Sequence, residues 1–161
     1  MRIGELTVFS SQNDSHQKFI KNICNKIEII SNDICIGRLP ISGQLMLQFY
    51  GINMKDVNNY SFDLLSPKVL GYIFLFNWDD KDSIEPIREM IDHLSTNFRS
   101  PIIVAAMVNN YDDLSVPKKF YEPEGFLLDS LARFTFCDLN DTSALKKIIA
   151  SLINIILNRM A

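Results

Sequence analysis

The sequence has few of the residues that build metal sites or disulfide frameworks. Its 161 residues include only two histidines, His16 and His93, so a histidine-rich metal site is not available. Both lie in polar stretches, and we expect them at the surface. The three cysteines make an odd number without CxxC spacing. We therefore expect Cys24, Cys35 and Cys137 to be reduced core thiols of a cytoplasmic protein.

Long apolar runs and an excess of basic charge are also missing. No apolar run reaches the roughly 18 residues that a membrane helix needs, and the N-terminus lacks a signal-peptide pattern. With 16 basic and 19 acidic residues, the formal net charge is −3, and the lysines form no basic stripe. Nucleic-acid binders usually have such a stripe. We therefore expect no nucleic-acid partner and no transmembrane segment.

An ordinary globular composition and an alternation of strands and helices are present instead. At 47% hydrophobic and 22% charged residues, the chain fits one domain spanning residues 1–161. The predicted elements, in chain order, are strand Gly4–Phe9, helix Ser15–Ile30, strands Asp33–Leu39, Leu45–Tyr50 and Val69–Phe76, helix Ser83–Asn97, strand Pro101–Val108, short helix Gly125–Leu131, strand Ala132–Cys137 and helix Thr142–Arg159. This order predicts an α/β three-layer sandwich whose mostly parallel sheet has about six strands and one antiparallel hairpin.

Four segments at the ends of predicted strands contain polar residues. They read SSQNDSHQ (10–17), QFYGINMK (48–55), VNNYD (108–112) and FCDLND (136–141). Ligands of such sheets bind at the carboxyl ends of the strands, so these segments are the candidate site. Together with the element order, they resemble the small Ras-like GTPases, nearest to the prokaryotic GTPases of the gliding-motility type and those encoded beside roadblock-domain partners. The resemblance implies a small-GTPase-like, P-loop NTPase architecture over nearly the whole chain.

The first segment departs from the family's phosphate-binding motif, GxxxxGK[ST]. Matched to the motif, Ser10 and Ser15 stand at the two glycines, His16 at the lysine and Gln17 at the Ser/Thr. In the family, the glycine-rich backbone wraps the phosphates, the lysine binds the β and γ oxygens and the hydroxyl binds Mg²⁺. All four positions are replaced, and a side chain at either serine obstructs close approach of a phosphate. We interpret the segment as an emptied loop whose short polar side chains satisfy its own backbone.

The second segment departs from the family's DxxGQ motif. Gly51 stands at the aspartate, Met54 at the glycine that contacts the γ-phosphate, and Lys55 at the glutamine that orients the attacking water. A flexible ammonium group cannot take over the role of that glutamine. We therefore expect no GTP hydrolysis and no catalytic residue.

The base-binding loop is where the resemblance favours a nucleotide. The family's NKxD motif corresponds to Asn109, Asn110, Tyr111 and Asp112, so its first and last residues are retained. In the family the aspartate accepts two hydrogen bonds from guanine. Asn and Asp are also common in turns at strand ends, so both interpretations stay open. In the last loop, Leu139 replaces the family's alanine and would crowd a purine.

The resemblance thus implies a pseudo-GTPase, a non-catalytic interaction and regulatory module that needs no cofactor. In Ras-like proteins the switch segments and the hairpin form the partner surface, which corresponds to residues 34–65. We expect a protein partner there, and the resemblance suggests a roadblock-domain dimer or a related GTPase. The apolar and aromatic side chains expected to contact it are Tyr50, Ile52, Met54, Tyr60 and Phe62.

Two alternatives remain open. One is an atypical protein that binds GDP or GTP with Mg²⁺, recognises guanine through Asn109 and Asp112, and holds phosphate without the lysine. The other is a flavodoxin-like binder of phosphate or flavin. In that case the hydroxyl-rich first loop would hold the phosphate, and Trp78 and Tyr111 would stack on an isoalloxazine ring.

Overall fold

A mixed eight-stranded sheet with helices on both faces is the central feature of the fold. The computed structural model describes residues 1–11, 14–31, 34–54, 68–97, 99–109, 126–127 and 131–160. In chain order its elements are β1 (Arg2–Ser10), α1 (Ser15–Ile23), β2 (Lys26–Ser31), β3 (Ile34–Pro40), β4 (Leu45–Asn53), β5 (Val69–Asn77), a 3₁₀ turn (Lys81–Ile84), α2 (Glu85–Asn97), β6 (Ile102–Met107), β7 (Phe126–Leu127), β8 (Ala132–Cys137) and α3 (Thr142–Met160). The predicted α/β fold class is confirmed.

The sheet combines a parallel centre with antiparallel edges. Its strand order is β2-β3-β4-β1-β5-β6-β8-β7. Five neighbouring strands are parallel: β4, β1, β5, β6 and β8. At one edge β2, β3 and β4 form an antiparallel meander, and at the other edge β7 runs antiparallel to β8. Because β4, β1, β5, β6 and β8 all point the same way, the segments that follow them meet at one edge of the sheet.

The core lies in two layers, one on each face of the sheet. Helices α1 and α3 cover one face, where their apolar stripes pack on alternate residues of the central strands such as Leu6 and Val8. The stripe predicted for the last helix is buried as expected: Leu145, Ile148, Ile149, Leu152 and Ile156. Helix α2 covers the other face, where Ile87 and Leu94 pack in one cluster with the rings of Phe9 and Phe74. These layers form the expected three-layer sandwich.

The predicted first helix was too long. Helix α1 ends at Ile23, Cys24 is already extended, and the chain continues as β2 instead of helix. The segment KIEII contains three β-branched isoleucines, which favour a strand, and β2 pairs with β3 from Lys26 opposite Arg38 to Ile29 opposite Cys35. Ile27 suits both patterns, since it continues the helical apolar spacing and also packs against the core from the strand.

The predicted short helix over residues 125–131 was also wrong where the structure describes it. Phe126 and Leu127 form the two-residue strand β7, opposite Phe134 and Arg133 of β8. Strand β2 therefore extends the predicted sheet at one edge, and β7 extends it at the other. Pairing between strands stabilised both additions, and a pattern within one segment does not report such pairing.

Candidate functional site

The SSQNDSHQ segment connects the end of β1 to the start of α1 at the carboxyl edge of the sheet. Ser10 is the last residue of β1, buried between Asn53 of β4 and Leu75 of β5. The next amide, that of Ser11, donates to the Leu75 carbonyl oxygen over 3.1 Å. The strand ladder therefore continues one residue into the loop, to Ser11. The residues at 12 and 13 lie outside the described part of the chain.

His16 is buried, in contrast to its predicted position at the surface. Its Nδ1 lies 2.7 Å from Ser10 Oγ, and both side chains are fully shielded from solvent. The missing side chain at Gly51 leaves room for the ring, since a Cβ there would lie 3.1 Å from His16 Cδ2. His16 therefore points from the first turn of α1 onto strand β4 and away from solvent.

Burial also determines the charge of His16. It lowers the pKa of His16 from 6.5 to about 4, although the nearby Asp14 carboxylate acts in the opposite direction. The imidazole is therefore neutral at pH 7, with one donor and one acceptor nitrogen. The position that resembles the family's phosphate-binding lysine thus carries no positive charge. Ser15 and Gln17, on either side of it, are half-buried in the first turn of α1.

Among the described residues of this segment, two buried polar atoms have no hydrogen-bond partner. They are His16 Nε2 and Ser11 Oγ. Buried polar atoms nearly always have a partner, from the protein or from ordered water. Both are neutral groups, so they can accept from or donate to a water molecule or a small polar ligand at the head of α1. They provide no ion pair for a phosphate.

The residues of the QFYGINMK segment lie in a strand and the core. Strand β4 runs through Asn53, so Ile52 pairs with Phe9 of the central strand β1. Ile52 and Met54 are 3% and 9% exposed and belong to the core cluster beneath α2. These two side chains, predicted to contact a partner, are therefore buried in the core of this structure. Strand alternation turned Ile52 toward the core.

Tyr50 lies half-buried in a row of polar side chains. Its hydroxyl donates to Glu5 Oε1 over 2.9 Å and accepts from Gln48 Nε2 over 2.6 Å. The Gln48 Oε1 atom accepts from Arg38 Nε over 3.1 Å, so the row crosses β3, β4 and β1. Burial, followed by the hydrogen bond to Glu5, raises the pKa of Tyr50. This row lies on the sheet face opposite α1, since the neighbouring Gly37 faces α1.

Several predicted residues lie outside the described part of the chain. These are Tyr60 and Phe62 of the predicted partner surface, Lys55 of the second motif and Asp112 of the base-binding loop, with its neighbours Asn110 and Tyr111. Asn109 is described, and it is exposed two residues after the end of β6. Of the two residues retained from the base-binding motif, the structure thus places one at the carboxyl edge.

The last loop is held by its own hydrogen bonds and by α1. Asp138 Oδ1 accepts from the amide of Asn140 over 2.9 Å. The Leu139 carbonyl oxygen accepts from Asn22 Nδ2 over 2.6 Å, and the Leu139 side chain packs against the core. Sequence reasoning gave Asn22 no role. Its signal was a polar residue three positions after Phe19, next to the buried stripe of α1.

An aromatic group borders the same edge of the sheet. Trp78, directly after β5, is 41% exposed, and its ring meets Phe136 edge-on with 4.8 Å between centroids. The Phe136 ring in turn contacts Phe134 at 5.3 Å. The ring of Trp78 is thus held at one side and accessible to solvent elsewhere, which makes it a reporter for ligands at this edge.

Comparison with known proteins gave no assignment: no family model matches the chain, and no curated protein matches it. Within the described ranges, no cluster of three or more His, Cys, Asp or Glu side chains is arranged to hold a metal ion. No helix among these residues is long and apolar enough to cross a membrane. The functional inference therefore rests on the residues at the carboxyl edge.

Proposed function

We propose that this chain is a non-catalytic, small-GTPase-like interaction module that acts by binding a protein partner. The observation that carries the proposal is the state of His16. It stands where the resemblance places the phosphate-binding lysine, yet it is buried, neutral at pH 7 and bound to Ser10 over 2.7 Å. This state of His16 supports a loop that does not bind a nucleoside triphosphate.

The physical reason is the charge of the ligand. Phosphoryl groups are held by backbone amides together with lysine, arginine or Mg²⁺, which neutralise their negative charge. To supply a charge, His16 would have to leave the core, break its bond to Ser10 and bind a proton. Each step costs free energy, and an exposed lysine such as the family's avoids these costs. The same reasoning makes GTP hydrolysis an unexpected activity.

The order of the strands is compatible with the proposed fold. Strands β3 and β4 form an antiparallel hairpin, and β4 lies beside β1, whose end leads into the loop in question. The hairpin belongs to the region that the resemblance makes the partner surface. Within its described part, Ile41 and Leu45 expose large apolar side chains at the turn. Tyr50 and its polar row supply hydrogen-bonding groups on the face of the sheet.

Nucleotide binding is the first experiment. Fluorescent GDP and GTP are titrated against the purified protein with and without Mg²⁺, and any nucleotide released on denaturation is identified by chromatography. We expect no saturable binding up to high micromolar concentrations and no released nucleotide. Binding that the substitution Asp112→Ala abolishes would contradict the proposal and establish the guanine loop as functional.

Partner binding is the second experiment. The proposed partner is a roadblock-domain dimer or a related GTPase, and its affinity for the chain is measured by calorimetry. We expect Tyr50→Ala to weaken binding, because it removes the centre of the polar row. The matched control is Leu157→Ala, at an exposed side chain of α3 on the other face of the sheet. Equal effects of both substitutions would argue against the proposed surface.

A second candidate is a ligand-binding protein of the flavodoxin-like or atypical nucleotide type. His16 Nε2 and Ser11 Oγ favour it, because neither has a hydrogen-bond partner within the described part of the chain and a ligand at the head of α1 would supply one. Trp78 is the only tryptophan of the chain. Its fluorescence is therefore recorded during titration with FMN and with guanine nucleotides. Saturable quenching, or a yellow purified protein, would favour this candidate over the interaction module.

A further inference from the structure

Strand β2 is an open edge of the sheet. It pairs with β3 on one side and stands at the end of the strand order, so its outer side has no neighbouring strand in the described sheet. Ile29 and Ile30 are 57% and 58% exposed. An edge strand with unpaired backbone groups and exposed apolar side chains is a template for another strand.

The charges of β2 determine which strand fits. The sequence Lys26-Ile27-Glu28 is complementary to itself when a second copy runs antiparallel and the pairing is centred on Ile27. Lys26 of each copy then lies directly opposite Glu28 of the other, which gives two ion pairs related by symmetry. If the pairing were centred on Glu28 instead, Glu28 of one copy would lie opposite Glu28 of the other. Like charges directly opposite each other are destabilising.

The surroundings of β2 suit the same register. Ile29 points to the same face as Ile27, the face of α1, because side chains alternate along a strand. In this register it lies opposite Asn25 of the other copy, just after the end of that copy's helix α1. An open groove of about 510 Å³ runs along this edge and is lined in part by Lys26, Glu28 and Arg38. It leaves room on the opposite face for the paired charged side chains.

We propose that two copies of this chain associate through antiparallel pairing of their β2 strands, centred on Ile27. The two sheets then join into one continuous sheet, and the exposed Ile29 of each copy is covered by the other. The paired strand β2 itself lies outside residues 34–65, although the groove beside it is lined in part by Arg38 of that range. A dimer formed in this way leaves both hairpins accessible.

Charge reversal tests the register directly. The oligomeric state of the full chain is measured by sedimentation equilibrium over micromolar concentrations, with wild type, K26E and E28K. We expect wild type to dimerise, and each single variant to dissociate with a constant raised about tenfold or more, because both ion pairs become like-charge pairs. Both positions are exposed, so unchanged circular dichroism and a melting temperature no lower than that of wild type serve as the check on folding. K26E also replaces the like-charge pair of Lys26 and Arg38 within each chain by an opposite-charge pair, which can raise the melting temperature.

Two further samples restore opposite charges across the paired β2 strands. An equimolar mixture of K26E and E28K is expected to form heterodimers of near wild-type affinity, because each opposed pair again has one charge of each sign. The double variant K26E/E28K is expected to dimerise alone for the same reason. A wild-type chain that stays monomeric overturns the proposal. So do single variants that dimerise as tightly as wild type, or a mixture that fails to associate.

Discussion

Ser10 and His16 are joined across the first loop by a hydrogen bond between their side chains, with 2.7 Å between Ser10 Oγ and His16 Nδ1. Both groups are fully buried, one at the end of β1 and the other in the first turn of α1. The bond therefore joins the strand to the helix across the loop. We expect it to stabilise the junction between β1 and α1.

Removal of the Ser10 hydroxyl tests this role. In the variant Ser10→Ala, His16 Nδ1 loses its partner in a site without solvent. We expect the free energy of unfolding to fall by about 1–3 kcal/mol, the usual cost of leaving a buried polar group unpaired. The measurement is urea denaturation followed by circular dichroism. Ser42→Ala is the control, because Ser42 Oγ accepts a hydrogen bond from Gln44 in an exposed turn. Equal losses in the two variants would contradict the role of Ser10.

The stability of the protein is expected to depend on pH through His16. Its pKa is about 4 in the fold against 6.5 for an ordinary histidine, so between these values the unfolded chain binds a proton that the folded chain does not. The neutral, buried His16 therefore contributes its full stabilisation of the fold above pH 6.5. The free energy of unfolding falls by about 3 kcal/mol as the pH drops from 6.5 toward 4. The free energy of unfolding is measured from pH 7 to pH 4 for wild type and His16→Gln. We expect a shallower dependence in the variant.

The matched control for that series is His93→Gln, at the exposed histidine of α2. Carboxyl groups titrate over the same range in every variant, so the difference between variants isolates the histidine. Identical slopes for wild type and His16→Gln would show that His16 is not held neutral by burial.

The sequence pattern predicted the central elements closely because each carries its own signal. Strand β8 has the predicted bounds, and α3 extends one residue beyond them. The continuous apolar run of β5 was unambiguous, since both faces of that strand are covered. The end of α1 was missed because the apolar spacing of a helix continues through Ile27, while pairing with β3 made the segment a strand.

The candidate site was less predictable for a related reason. His16 was expected at the surface because its neighbours in sequence are polar. Its burial depends on the space left by Gly51, which is far away in sequence and adjacent only in the folded sheet. Likewise, Ile52 was assigned to a partner surface because the motif match placed it in a loop, whereas β4 extends past it. Contacts between distant residues decided both cases.

Gly51 is expected to be intolerant of a side chain. A Cβ there would lie 2.7 Å from both Cys35 Sγ and Ile20 Cδ1, so these side chains would have to shift. We expect Gly51→Ala to lower the free energy of unfolding by about 1–3 kcal/mol, the range for overpacked cores. The control is Gly43→Ala, where nothing lies within 4 Å. Denaturation in urea compares the two, and a Gly51→Ala protein as stable as Gly43→Ala would contradict the packing.

The bond from Asn22 to the loop after β8 is expected to control how readily that loop opens. Asn22 Nδ2 donates to the Leu139 carbonyl oxygen over 2.6 Å, across 117 positions of sequence, so it connects α1 to the loop after β8. In Asn22→Ala the carbonyl loses this partner. We expect a stability loss of about 1 kcal/mol and faster amide hydrogen exchange confined to residues 138–141.

Lys21→Ala is the control for this exchange experiment, because Lys21 is the exposed neighbour of Asn22 on the same helix. Its exchange pattern should match wild type. If exchange in Asn22→Ala increased evenly over the whole protein, the variant would have lowered global stability without freeing the loop. If exchange at residues 138–141 did not change, the Asp138 and Asp141 side chains, which accept from the amides of Asn140 and Ala144, would be sufficient to hold the loop.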